Sequence, residues 1–146
     1  MSDLYDTDAM TWSEHQAALL RRVAAGERIN DQVDWENVIE EIEAVGRNDL
    51  HAVTSWLMQA LRHDLKAEAW PLSREVPHWR AEARGFRAQA RRRFTESMRS
   101  RIDVADLYRV ALAGVPETID EVAPLPVPEV CPVTLDELLA DHPADG

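Results

Sequence analysis

Residues 34–70 read DWENVIEEIEAVGRNDLHAVTSWLMQALRHDLKAEAW, and the spacing of their apolar side chains decides the fold class. At ~100° per residue, Trp35, Val38, Ile39, Ile42, Val45, Val53, Trp56, Leu57 and Ala60 fall on one side of a cylinder. Glu36, Glu40, Arg47, Ser55, Arg62 and Lys66 fall on the other. This is an amphipathic helix whose apolar stripe is wide enough to seed a core. Asp34 suits the N-cap, Val33 and Val38 occupy the staple positions, and Glu36 favours the positive end of the dipole. A single helix of this length would run ~54 Å. Gly46-Arg47-Asn48-Asp49 offers a stop followed by new capping residues. Val45, Val53, Leu57 and Ala60 nevertheless keep phase across it, which favours one long helix over two, with Gly46 the place for any bend.

Outward from this stretch the pattern stays helical. Residues 1–10 read as a polar lead. Thr11 and Glu14 form a capping-box pair for a helix with Trp12, Gln16, Leu19, Leu20 and Val23 inward, ended by Gly26. A short polar loop over 27–33 sends the central helix back antiparallel. Trp70-Pro71 stops that helix, and Pro77 opens the next, whose stripe is Trp79, Ala83, Phe86, Ala90, Phe94 and Ser97. Ser100 and Asp103 can cap a fourth, with Val104, Leu107, Tyr108, Ala111 and Leu112 inward, closed by Gly114 and Pro116. Glu117 to Val122 reads as a further turn or two. Pro124, Pro126, Pro128 and Pro132 make an extended strap that packs back on the bundle. Thr134 with Glu137 as capping box and Val133 with Leu138 as staple start a last helix ending near Asp141. The expectation is an all-α antiparallel bundle of about four main helices, one domain over residues 1–146, with strap and last helix laid across it.

The stretch DWENVIEEIEAVGR follows Tyr5, Asp6, Asp8 and Trp12 and precedes Trp79 and CPVTLDELL at Cys131 to Leu139. In order and spacing these residues resemble the bacterial family known as domain of unknown function 29. The resemblance implies a small, soluble, all-helical bacterial domain, and it brings no assigned activity.

The 146 residues suffice to bury a core. Net charge is −11, which disfavours nucleic acid and anionic membrane as partners. A single cysteine excludes an internal disulfide and a cysteine metal pair. The acidic start is not a signal peptide, and no run approaches the ~20 apolar residues of a membrane span. The expected place is the cytoplasm.

Three constellations bear on chemistry. Glu36, Glu40, Glu41 and Glu43 read first as a solvated acidic face meeting arginines; carboxylate metal sites in bundles also need inward Glu-x-x-His pairs. The Glu75–His78 spacing offers one, but Pro77 interrupts it. Asp64, beside His63, falls at the centre of the apolar stripe, where an unpaired carboxylate would be costly, so an inward arginine should pair with it. His15, His51 and His142 are scattered. Between Arg80 and Arg101 stand eight arginines against two glutamates, a local +6. Arg80, Arg84, Arg87 and Arg91 form one strip, with Arg92 and Arg93 around the helix. Guanidinium forks suit carboxylates and phosphates. The plainest reading has the strip pairing within the fold with the glutamates of the central helix; an acidic partner, a second copy or a phosphate surface are the others. Cys131 reads as a buried small hydrophobe.

First in rank stands a non-catalytic interaction module, binding a protein partner or itself through Arg80, Arg84, Arg87 and Arg91 and an acidic helix face, with no cofactor. The alternative is a helical-bundle enzyme or sensor with a carboxylate-bound metal, using Glu43 and Asp64 with His63 or His78. Because Glu43 and Asp64 are ~30 Å apart on a straight helix, a shared site needs a fold-back at Gly46 or two copies. Nucleic-acid binding through the arginine strip is third, and membrane binding is not expected.

Overall fold

Asp34 shows how the chain folds locally. Its carboxylate accepts hydrogen bonds from the Trp12 indole Nε1 at 3.0 Å and the Asn37 amide side chain at 2.8 Å. Its own backbone N–H donates to Gln16 Oε1 at 2.8 Å. Gln16 is buried for that reason: its amide satisfies the free backbone at the start of a helix. The computed structural model describes residues 3–140. Its elements are α1 (Asp3–Thr7), α2 (Ala9–Ala24), α3 (Trp35–Ala69), α4 (Val76–Arg93), α5 (Val104–Ala113) and α6 (Leu135–Leu139), with 3-10 turns at Asn30–Gln32 and Glu96–Arg101. The fold is an all-α helical bundle. None of its helices is long and apolar enough to cross a membrane, among the described residues.

The chain divides into two compact units, Met1–Asn48 and Asp49–Gly146. In the first, Trp12, Leu19, Val33 and Val38 form the core, with Leu4, Tyr5, Leu20, Val23 and Ile29 around them. Tyr5 meets Trp12 edge-on, ring centroids 4.8 Å apart. Two expectations need correction here. Residues 3–7 form α1 instead of a polar lead. The cap of α2 is Asp8, which accepts from the Thr11 backbone N–H at 3.0 Å and hydroxyl at 2.7 Å, so the helix opens two residues before Thr11. Gly26 follows the helix end with φ +98°, a conformation that favours glycine.

Helix α3 does not break at Gly46; it is one helix of 35 residues. Its apolar stripe is another matter. Val53, Leu57 and Ala60 are fully buried, but Trp35, Ile39, Ile42 and Val45 are exposed. The periodicity is real, yet in the first unit α3 is engaged along Asp34, Val38 and Glu41, one residue off the row Trp35–Ile39–Ile42.

The core of the second unit joins Val53, Leu57, Leu61 and Leu65 of α3 to Ala90, Met98, Tyr108, Ala111 and the three leucines of α6. A second cluster holds Ala67, Ala69, Trp70 and Trp79. Helix α4 ends at Arg93, not Ser97, because Phe94 and Thr95 turn extended (ψ 136° and 154°). Three consecutive arginines sit at its C-terminal end, where cations offset the dipole. Asp103, not Ser100, caps α5 through the Asp106 N–H. Residues 119–122 form a two-residue turn, not helix: Ile119 and Val122 exchange backbone hydrogen bonds, with Asp120 and Glu121 at φ 50° and 63°. The strap is extended and anchored as expected. Leu125 N–H donates to the Ala69 carbonyl, the Trp70 indole to that of Val122, and the Tyr108 hydroxyl to that of Pro128. Thr134 caps α6 by accepting from the Glu137 N–H at 3.2 Å. The helix ends at Leu139; Asp141 and His142 lie outside the described residues.

Candidate functional site

The strongest site is a cleft of about 600 Å³ within the second unit. Its walls come from α3 (Leu61, Asp64, Leu65, Glu68), α4 (Arg80, Arg84, Arg87), Tyr108 of α5, the strap residues Pro132 and Val133, and Glu137 and Leu138 of α6. The three arginines reach it because steps of four and three put them on one side of α4.

Asp64 organises the cleft. Arg80 Nη1 donates to its Oδ1 at 2.9 Å, and Arg87 Nη1 to its Oδ2 at 2.6 Å. Both oxygens of the one inward carboxylate are thus committed to arginines, as the stripe position requires. The Arg87 side chain is 13% exposed and that of Arg80 42%, so Arg87 is the inner member of the pair. Arg84, between them in sequence, is exposed and has no hydrogen-bond or ion-pair partner among the described residues, although it lines the cleft. Arg91 turns elsewhere: its guanidinium donates to the Leu139 and Ala140 carbonyls at 3.3 and 3.4 Å, holding the end of α6. Burial, with the Glu68 carboxylate adding to it, pushes the Tyr108 phenol up.

Two of the strip's four arginines, Arg80 and Arg87, therefore meet one aspartate of α3, Asp64, instead of its glutamates. Glu40 pairs with Arg47 at 2.8 Å, and Glu41 accepts from the Tyr5 hydroxyl at 2.6 Å. That hydrogen bond raises the Tyr5 phenol to about 12. Glu36 and Glu43 are exposed, without partners among the described residues. Arg93 lies 3.8 Å from Asp49 and over the Trp56 ring.

Of the residues weighed for a metal, two are brought together. His63 and His78 flank one carboxylate, Glu82, at 3.1 and 3.4 Å. His63 Nδ1 lies 2.8 Å from the Gln59 carbonyl, which can only accept, so Nδ1 carries a proton there. Asp64 belongs to the arginines, and Glu43 lies in the first unit. Among the described residues no group of three or more His, Cys, Asp or Glu is placed to hold a metal ion. Sequence reasoning missed Glu82, although its spacing of four from His78 was a usable signal. Cys131 is half-buried, its thiol donating to the Val133 carbonyl at 3.3 Å.

Fold and cleft together define an all-helical protein with an arginine-lined recess. The chain belongs to the family described as domain of unknown function DUF29, whose model matches residues 4–142. Among solved structures it is similar to an alpha-helical protein of unknown function from Rhodospirillum rubrum. The two are 26% identical, the match covers 92% of this chain and 88% of that one, and the TM-score is 0.63. No curated protein matches the chain.

Proposed function

We infer that this protein is a non-catalytic interaction module whose arginine cleft receives an acidic segment of a partner protein. The observation that carries the reading is Arg84: a guanidinium without a partner among the described residues, on the wall of a recess, between two arginines that Asp64 already holds in place. An unpaired fork presents two parallel donors to an incoming carboxylate, and neighbours that are already anchored lose little freedom on binding. Leu61, Leu65 and Leu138 supply apolar wall for a side chain next to that carboxylate. Asp64 supports binding over proton transfer, since both its oxygens are engaged.

The test is fluorescence anisotropy with a labelled acidic peptide, Glu-Leu-Glu-Glu, and its lysine counterpart. The acidic peptide should bind and weaken as salt rises, because the contact is ionic. Arg84→Glu should reduce affinity about tenfold or more, the range for a charge-assisted hydrogen bond. Equal binding by Arg84→Glu, or preference for the lysine peptide, refutes the reading.

A further inference from the structure

The exposed row on α3 points to a different contact. Trp35, Ile39 and Ile42 are 42%, 51% and 68% exposed, and Val45 beside them 64%. Gly46 continues the row, and a Cβ added to it would meet nothing within 4 Å. The Trp35 indole N–H donates to the Asn30 carbonyl at 2.7 Å, which satisfies its polar end and leaves its apolar surface open. A contiguous apolar row on a helix is the kind of surface that another element covers.

The row has a property that selects what covers it. Positions 35, 39, 42 and 46 are separated by steps of 4, 3 and 4, so the spacing reads the same from either end. A two-fold axis opposite residues 40 and 41 lays the row on itself with the helices antiparallel. Trp35 then faces Gly46 of the second copy, and Ile39 faces Ile42. The largest side chain meets the absent one at both ends, the self-complementarity that an isologous interface demands. Glu36, which has no partner among the described residues, comes between Arg47 and Glu43 of the second copy. Arg47 is held by an exposed ion pair to Glu40, of a kind that exchanges at little cost. A parallel pairing would instead set Trp35 against Trp35 and Glu36 against Glu36. The same edge brings Glu40 and Glu43 of the two copies near each other, so the driving force is apolar and the net edge charge opposes it.

We propose that a second copy of this chain covers the row Trp35–Ile39–Ile42–Gly46, the two α3 helices pairing antiparallel about residues 40 and 41. This contact is independent of the arginine cleft, and the two differ in their response to salt. The acidic-segment contact weakens as salt rises, whereas the α3 pairing holds or tightens.

The experiment is sedimentation equilibrium of the full chain over a concentration series at low and high salt. A monomer–dimer equilibrium that salt does not weaken is expected. Ile42→Asp, at an exposed position, should raise the dimer dissociation constant roughly tenfold or more. Gly46→Leu, which fills the space facing Trp35, should do the same. Both should keep the wild-type helical circular dichroism, and Arg84→Glu should leave the dimer intact. Register is read by mixing Ile39→Cys and Ile42→Cys chains in a Cys131→Ser background, where oxidation should link position 39 to position 42. A chain that stays monomeric up to about 1 mM, a dimer unaffected by both row variants, or mixed chains that do not cross-link would overturn the pairing. A monomer that instead bound a different protein through the row would overturn it equally.

Discussion

Arg62 and Gly114 are matched by subtraction: the Arg62 guanidinium fills the space that a Cβ on Gly114 would need. From there it donates to the carbonyls of Val110 and Ala111 at 3.2 and 3.3 Å, two acceptors at the C-terminal end of α5 that also receive the Gly114 N–H. Gly114→Ala should therefore displace the guanidinium and lose both bonds. Because the displaced group is the end of a flexible side chain, the expected loss is about 1 kcal/mol, not a core-scale penalty. Chemical denaturation of Gly114→Ala, Arg62→Ala and the double variant checks this. The two losses should be strongly non-additive, since each removes the same pair of bonds.

Asp64 should matter more than either arginine it holds. Asp64→Ala leaves two guanidinium groups without their carboxylate in a partly closed cleft, and about 1–3 kcal/mol of stability should disappear. Arg87→Ala should cost more than Arg80→Ala, because the Arg87 side chain is 13% exposed against 42%. Urea midpoints of the three variants give the order.

Asp34 makes the first unit sensitive to acid. Hydrogen bonds from Asn37 and Trp12 hold its carboxyl below the ordinary 3.8. A depressed folded pKa stabilises the native state above the unfolded value, and that contribution is lost as pH falls through the folded one. Wild type should therefore lose more thermal stability between pH 6 and pH 3 than Asp34→Asn does, read by Trp fluorescence melts. Parallel curves would contradict this.

The Tyr5 phenol should ionise late. Donation to Glu41 raises it from 10.0 to about 12. This group stabilises the fold below its unfolded pKa, and the contribution is lost as pH rises through about 12. Ultraviolet titration of Tyr108→Phe, which leaves one tyrosine, should give a midpoint near 12, and adding Glu41→Gln should bring it down.

Much of this architecture was legible in short-range signals. The Thr134 cap, the positive φ after Ala25 and the unbroken phase through Gly46 each depend on residues within a turn or two. The Asp64–arginine contact was legible too, because a carboxylate at the centre of an apolar stripe admits few solutions. The periodicity of Trp35, Ile39 and Ile42, in contrast, declares an apolar face without declaring what faces it. Position 38, one residue away, went to the core instead. The end of α4 was hidden for the opposite reason: Phe94 keeps the helical spacing and still reaches the core, from extended backbone. Only half of the Glu82 arrangement was local: its spacing of four from His78 lies within α4, whereas the contact with His63 of α3 joins two helices that no local window contains.

The placement of α6 has a consequence for how the chain acquires its fold. Five residues are too few to hold a helix in water unaided. Yet Leu135, Leu138 and Leu139 are all buried among residues of α3, α4 and α5. A polypeptide emerging in order cannot close the core of its second unit until residue 139 has appeared. The helices made earlier must wait with their leucines open to whatever apolar surface lies nearby, so this unit is completed in one late step instead of growing stably from its first helix onward.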